Sequence, residues 1–412
     1  MRSDHGTRWL QALELPGTAL SRAVRDETYL ASPGSPTISL REKLVAETAL
    51  LLLVGSRACD DEVVHSPIVR FVARTLTTLT ESQRARILLH RYPCDVTTLA
   101  LPQLAALAYE NRIRRLCLSS AQQSLNQALE RWLFSDDVGN RSCESFKRAE
   151  VDWLRREWTA LLGHALPTPP EEIVRLPAPI HPIYTSNQQA YALTHELMFI
   201  SSFGHLEISA SPEDLRAMAD VLDSHIAWCV VSDRIDLLAE FLICVVVLGL
   251  PPSRYWQIGL TVLRSVWDAF GIIPAHNFRH ERRAGRRRGD AKDNLVLRGY
   301  HGTLVAGLLE SVLLSTGLSL DGAVSEVPSV LSREEVIDHV QRGGRTLGWW
   351  ARCIDDAGGN LAIIADGLLT QAAVNYEVDA VKDLYDLRIV RGEPVTATMR
   401  AAADFCATDP RT

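Results

Sequence analysis

Along most of the chain apolar residues recur at intervals of three and four, the period of an amphipathic helix, and no five-residue window alternates strictly enough to predict a strand. The pattern predicts helices over residues 40–59, 67–79, 81–90, 101–117, 121–134 and 142–162. Pro67 is placed for a first helical turn, and Tyr92-Pro93 closes the third of these segments. A second series covers residues 212–231 with Ser211 as N-cap, 233–250 closed by Pro251-Pro252, 254–270 closed by Gly271, 304–314, 333–354, 361–375 and the more charged 378–390. Residues 404–412 are expected to fray. Between the two series, residues 166–182 contain six prolines, which lack the donor a helix or ladder requires and therefore predict an extended connector. The chain reads as an N-terminal helical part (1–165), this connector, and a C-terminal helical part (183–412). The fold class is all-α, with paired helices arranged as an α/α toroid or as two helical lobes.

The first helix after the connector departs from a simple apolar stripe. Tyr191, Thr194, His195, Met198 and Ser202 fall at i, i+3, i+4, i+7 and i+11, while Leu193, Leu197 and Ile200 point elsewhere. A polar stripe on a helix covered from several sides needs partners, since each unsatisfied buried group costs about 1–3 kcal/mol. Phe203-Gly204 is expected to stop this helix, glycine accepting a left-handed C-cap. A second cluster, Arg298-Gly299-Tyr300-His301-Gly302-Thr303, repeats the tyrosine, histidine and threonine ahead of an apolar helix.

Two chemistries suit these groups. If His195 and His301 met across a helix pair, they would offer two imidazoles to a divalent metal, and Glu240, Glu196, Asp236 or Asp366 would add a carboxylate. A zincin site on one helix is excluded, because position 199 is phenylalanine. Without metal, His195 and His301 would work as acid and base, with Tyr191, Thr194 and Tyr300 orienting the substrate. The structural alternative is a pair of hydrogen-bonded core histidines. Glu240 and Asp366 lie in apolar runs that echo one another (237–243 and 363–369); for each, a salt bridge to an arginine on a neighbouring helix is the structural reading. Asp236 reads as a solvated helix start.

Composition narrows the classes. Of 412 residues 47% are hydrophobic and 23% charged, globular values, and a formal net charge of −7 argues against a whole-protein role on nucleic acid or an anionic membrane. Residues 278–298 hold nine basic side chains and two glycines; they read as a solvated surface loop or as a lid that draws in a phosphate, carboxylate or acidic peptide. With Phe278 as its one aromatic, this stretch fits nucleic acid poorly. Eight cysteines without a C-x-x-C pair give neither a zinc-thiolate framework nor a redox motif, and suit buried positions in a reducing compartment. The N-terminus has no apolar signal core. The two most apolar runs, 44–55 and 237–250, contain Glu47 and Glu240 and are too short to span a bilayer, so a cytoplasmic location is expected. No P-loop, dinucleotide fingerprint, aspartate-rich cyclase motif or G-x-S-x-G elbow is present.

The pattern Tyr191-x-x-Thr194-His195-x-x-x-Phe199-x-x-x-Phe203-Gly204, with Tyr300-His301-x-Thr303, resembles an uncharacterised actinobacterial family whose members often lie in natural-product gene clusters. The resemblance covers the chain from about residue 180 onward. Ser202 stands where that family usually carries aspartate before Phe-Gly. The resemblance implies that His195 and His301 serve one site and points toward secondary metabolism. The expectation is therefore an enzyme that modifies a small-molecule or peptide intermediate in a pocket between helices. Its rival is a helical interaction protein whose histidine motifs are structural.

Overall fold

The structure is a computed structural model that describes residues 4–31, 38–92, 95–113, 120–135, 144–163, 176–232, 234–274, 288–318 and 361–408. Among these residues there is no strand, and the protein is all-α. The helices are α1 (Asp4–Arg25), α2 (Leu40–Ala58), α3 (Asp61–Val64), α4 (Pro67–Thr80), α5 (Gln83–Arg91), α6 (Val96–Ile113), α7 (Ser120–Leu133), α8 (Ser145–Leu162), α9 (Asn187–Ile200), α10 (Pro212–Val231), α11 (Ile235–Val247), α12 (Arg254–Phe270), α13 (Arg288–Thr316), α14 (Leu361–Val374), α15 (Val378–Val390) and α16 (Ala397–Ala407). A 3₁₀ turn, Pro182–Tyr184, begins at the last of the six prolines.

Two compact units are present. Unit 1 comprises Met1–Val174, Met198–Leu206 and Leu295–Gly317, and unit 2 comprises Arg175–Leu197, Glu207–Asn294 and Leu318–Thr412. In unit 1, α6 packs against α2, α4, α5, α7 and α8. Its core is built from Leu44, Leu51 and Leu52 of α2, Val69, Val72 and Leu76 of α4, and the fully buried Trp9, Trp153 and Trp158. In unit 2, α10 packs against α11, α12, α14 and α16. The last eight residues of α10 are all buried, as is every residue of α11 except Asp236. A helix apolar on all sides has to be enclosed by others, and this pair supplies the centre of unit 2.

Local signals account for many helix ends. Ser211 and Ser253 accept from the backbone N–H three residues on, and Gly163 and Gly271 close α8 and α12 in the left-handed conformation. Other expectations need correction. Residues 288–298, read as part of a basic loop, are the first turns of α13, so Tyr300-His301 lies inside a long helix instead of introducing one. Ala291, Lys292, Leu295, Leu297 and Arg298 are good helix formers, and propensity prevails there over charge. The remainder of that basic stretch, 278–287, lies outside the described residues, as do the helix expected over 333–354 and residues 166–175 of the connector. Residues 404–407, expected to fray, belong to α16, whose N-cap Thr396 accepts from Met399 N–H.

Tyr376, which follows α14, has φ +58° and is 81% exposed. A left-handed conformation costs a non-glycine residue about 1–2 kcal/mol, and this side chain gives little packing in return. Tyr376→Gly is therefore expected to raise stability by about 0.5–1 kcal/mol in a urea titration; a loss would mean that its ring contact with Phe405 outweighs the strain.

Candidate functional site

The tyrosine and histidine motif of α9 is fixed by α11. Tyr191 donates its hydroxyl to Asp236 Oδ2 at 2.7 Å, and the Thr194 hydroxyl donates to Glu240 Oε2. His195, one residue on, brings Nε2 to 3.6 Å from Glu240 Oε1, an ion-pair distance beyond hydrogen-bond reach. Glu240 is 1% exposed, whereas the imidazole side chain is 37% exposed. Tyr191 stands edge-on to the His195 ring, and burial, reinforced by the charge of Asp236, pushes its phenol well above the usual range. Tyr191 is thus a neutral donor at any physiological pH.

These contacts revise two sequence expectations. The arginine partner proposed for Glu240 is replaced by His195: among the described residues no lysine or arginine pairs with this carboxylate. Asp236 does stand in the first turn of α11, but it accepts the Tyr191 hydroxyl instead of facing only water. Asp366 behaves as expected, pairing with the buried Arg388; it also accepts from Tyr255 at 2.5 Å and Thr396 at 2.8 Å.

The second motif is built in the same way within unit 1. His301 Nδ1 lies 3.1 Å from Glu47 Oε2 of α2, the buried Tyr300 hydroxyl bonds to the same carboxylate, and Lys43 approaches Glu47 at 3.5 Å. Burial works against ionisation of Glu47, but His301 and Lys43 outweigh it and hold the carboxyl below its usual range. Tyr300 stands edge-on to His301 as Tyr191 does to His195, and its phenol is likewise pushed up, by burial first and Glu47 second. A third pair was not anticipated. His5 of α1 bonds through Nδ1 to Glu310, nine residues beyond His301 on α13.

The sequence carried signals for these partners. His5-Gly6-Thr7 repeats His301-Gly302-Thr303, and Leu44-Val45-Ala46-Glu47 matches both Leu237-Leu238-Ala239-Glu240 and Ile363-Ile364-Ala365-Asp366. In all three of the latter, the carboxylate lies on an apolar helix and accepts a hydroxyl from another. His195 belongs to unit 2 with Tyr191, Thr194 and Glu240; His301 belongs to unit 1 with Tyr300; each imidazole has a carboxylate of its own unit. Among the described residues no group of three or more His, Cys, Asp or Glu side chains is arranged to hold a metal ion.

The segment after α9 has its own constraint. Ser202, Phe203 and Gly204 have φ of +48°, +56° and +88°, three successive left-handed residues of which only the last is glycine. The helix therefore ends at Ile200, two residues before Ser202, which leaves the stripe that helical spacing assigned it. Within unit 1 the strain is held by packing: Phe203 is 1% exposed against Trp153 and Phe199, and Ser202 Oγ accepts from Trp153 Nε1 at 3.1 Å and donates to Glu157 at 3.2 Å.

The class defined so far is an all-α protein of two helical units, each with a histidine paired to a buried or half-buried glutamate on a facing helix. Within that class, the chain belongs to the family described as domain of unknown function (DUF6895), which matches residues 11–311. The match reaches well upstream of residue 180 and includes both tyrosine and histidine motifs. No curated protein and no solved structure matches the chain. Among the described residues, no helix is long and apolar enough to cross a membrane.

Proposed function

We propose that the protein is an enzyme in which His195, set beside Glu240, carries a proton to or from a small-molecule or peptide substrate. One observation carries this reading: a carboxylate removed from water has a partly exposed imidazole as its only cationic partner among the described residues. A buried glutamate so placed favours the imidazolium as it forms, while the ring keeps access to solvent and hence to a substrate. Tyr191, held by Asp236, provides a neutral hydroxyl alongside it. The resemblance to the Tyr-x-x-Thr-His family directs this reading toward intermediates of secondary metabolism. Its test is consumption of components of the native host's metabolite fraction, followed by mass spectrometry. A component consumed by the parent and spared by His195→Gln supports the reading; equal consumption by both overturns it.

The third pair, His5 with Glu310, favours a second reading. A histidine and glutamate clamp used repeatedly between helices would be a structural device of a scaffold. That reading expects no consumption by any variant, and a loss of stability in each of His5→Gln, His195→Gln and His301→Gln. The metal alternative, with His195, His301 and Glu240 as ligands, has its own test in elemental analysis. Near-stoichiometric metal lost in both His195→Ala and His301→Ala would replace the proton-carrier reading.

A further inference from the structure

Within unit 1, the C-terminal halves of α2, α6 and α8 form a groove that none of the paired histidines lines. It holds about 410 Å³ and is open to solvent. Sites for small molecules span about 300–1,000 Å³, mostly apolar with a few polar groups that fix orientation. The apolar lining here comes from Leu53 of α2, Leu104 and Ala108 of α6, and Ala160 and Leu161 of α8. Ser56, Arg57, Asn111, Arg112 and Glu157 supply the polar groups.

The charged groups fall into a closed set and an open one. Arg57 donates Nη1 to Glu157 Oε1 at 2.8 Å and Nη2 to Oε2, and the Ser202 hydroxyl donates to the same carboxylate at 3.2 Å. Glu157 and Arg57 thus satisfy one another inside the protein. Arg112 differs: it spends Nη2 on the Cys59 carbonyl at 2.7 Å and on Asp61 Oδ1 at 3.0 Å, and the N–H groups of Nη1 and Nε have no acceptor among the described residues. Asp61 is 81% exposed, and an ion pair so hydrated is weak. The carbonyl contact holds the guanidinium in place without consuming its remaining donors. Asn111, one residue earlier, makes no side-chain hydrogen bond among the described residues. Backbone strain lies at the same place, since the Ser202 that donates to Glu157 belongs to the left-handed turn of Ser202, Phe203 and Gly204. Strain of that kind gathers at binding and switch sites, where the surrounding structure over-determines it.

We propose that this groove binds a small organic monocarboxylate with a compact apolar body, its head on Arg112 and Asn111 and its body against Leu53, Leu104 and Leu161. A guanidinium with donors to spare matches the two oxygens of a carboxylate, and a charge-assisted bond is stronger than a neutral one. The head goes to Arg112 because at Arg57 it would meet the charge of Glu157. Acetate would engage the guanidinium but leave the apolar lining unused. A neutral amide of the same body would use the lining and forgo the charge.

Calorimetric titration of the full chain with hydrocinnamate, hydrocinnamamide and acetate tests this. Hydrocinnamate is expected to bind about tenfold more tightly than either of the others. Arg112→Met, which keeps the apolar stem, should make hydrocinnamate and its amide equal. Ala160→Trp, which adds bulk to the lining and keeps both arginines, should abolish binding of both. Arg112 and Ala160 are exposed positions, so both variants are expected to fold, as circular dichroism would show. Arg70→Met, at an exposed position of α4 outside the groove, should leave every affinity unchanged. The proposal is overturned by no binding of hydrocinnamate, or by equal affinity of the parent for acid and amide. Acetate binding as tightly as hydrocinnamate overturns it too, as does binding that survives Ala160→Trp, keeps its preference in Arg112→Met, or falls in Arg70→Met.

Discussion

Between pH 6 and about pH 4.5 the protein is expected to lose stability at about 1.4 kcal/mol per pH unit, and Asp223→Asn to roughly double that slope. The three groups that dominate, His225, His181 and Asp223, lie in unit 2. His225 is 0% exposed, stacked on Phe241 with ring centroids 4.3 Å apart; Nε2 donates to the Ile180 carbonyl at 3.1 Å, and Nδ1 has no hydrogen-bond partner among the described residues. Burial lowers its pKa to about 3. His181 uses Nδ1 to accept from Ile183 N–H, a bond that protonation would break, and burial lowers its pKa to about 4. In the unfolded chain both histidines take up a proton near pH 6.5, whereas the folded protein refuses it until far lower pH. The unfolded state therefore binds two more protons, and stability that is complete above pH 6.5 falls as the pH drops toward 4.

Asp223 acts in the opposite direction. Burial raises its pKa to about 6, against the hydrogen bond from Ser253, so below pH 6 the folded state holds one proton that the unfolded aspartate releases until about pH 3.9. Two protons favouring the unfolded chain, less one favouring the folded protein, leave a net of one. Asparagine at 223 removes the opposing proton and restores a slope near 2.7 kcal/mol per pH unit. The exposed His205, whose pKa is also lowered by burial, adds a small contribution of the same sign as the other histidines. Glu47 and Glu42 have lowered values and weaken the fold only as the pH falls through the carboxylate range, below this window. Urea titrations followed by circular dichroism at intervals from pH 7 to 4.5 give the slopes directly. A flat profile in the parent would mean that the two histidines are hydrated in solution, and a slope unchanged by Asp223→Asn would mean that folded Asp223 does not hold its proton in this range.

What the sequence could disclose follows the range of the forces involved. Caps and breaks act within four residues, so Ser211 and Gly271 placed their helix ends correctly. Composition misplaced residues 288–298, because a run of arginines reads as loop whether or not its backbone is helical. Short α16 escaped notice because its helix-forming alanines carry only a brief apolar face, which is completed by α10, α14 and α15. For the site, periodicity put Tyr191, Thr194 and His195 together on α9, yet their partners lie 45 and 46 residues away on α11. The choice of His195 over an arginine for Glu240 is a matter of tertiary geometry, and no local rule reaches it. Glu47 and His5 are different: the repeated Ala-Glu and His-Gly-Thr segments were present in the sequence, and only the pairing of one with another was hidden.

The third member of that Ala-Glu/Ala-Asp echo leads to the other large expected effect, in which Gly367→Ala destabilises the protein by about 3 kcal/mol or more. At an exposed helical position this substitution would stabilise by about 1 kcal/mol through propensity, so the sign itself is diagnostic. Gly367 lies in α14, beside Asp366 and facing α10. A methyl group there would stand 2.5 Å from the carbonyl oxygen of Ala227 and 3.0 Å from its carbonyl carbon. Val231 Cγ2, at 2.4 Å, is a side-chain obstacle that could rotate, but the Ala227 obstacle is backbone, in a stretch of α10 that is buried throughout. The helices must separate instead. Overpacking of that kind costs about 1–3 kcal/mol, occasionally more. Here the displaced helix also carries Leu369, fully buried, and Asp366, whose bonds to Arg388, Tyr255 and Thr396 depend on its position. Breaking a buried ion pair costs about 3–5 kcal/mol when one partner is left behind, and partial loss of this one carries the total past the packing term alone. Chemical denaturation of Gly367→Ala beside the parent measures the effect. A neutral or stabilising result would mean that α10 and α14 stand farther apart than a glycine contact requires, and that the carboxylate at 366 is not held by their approach.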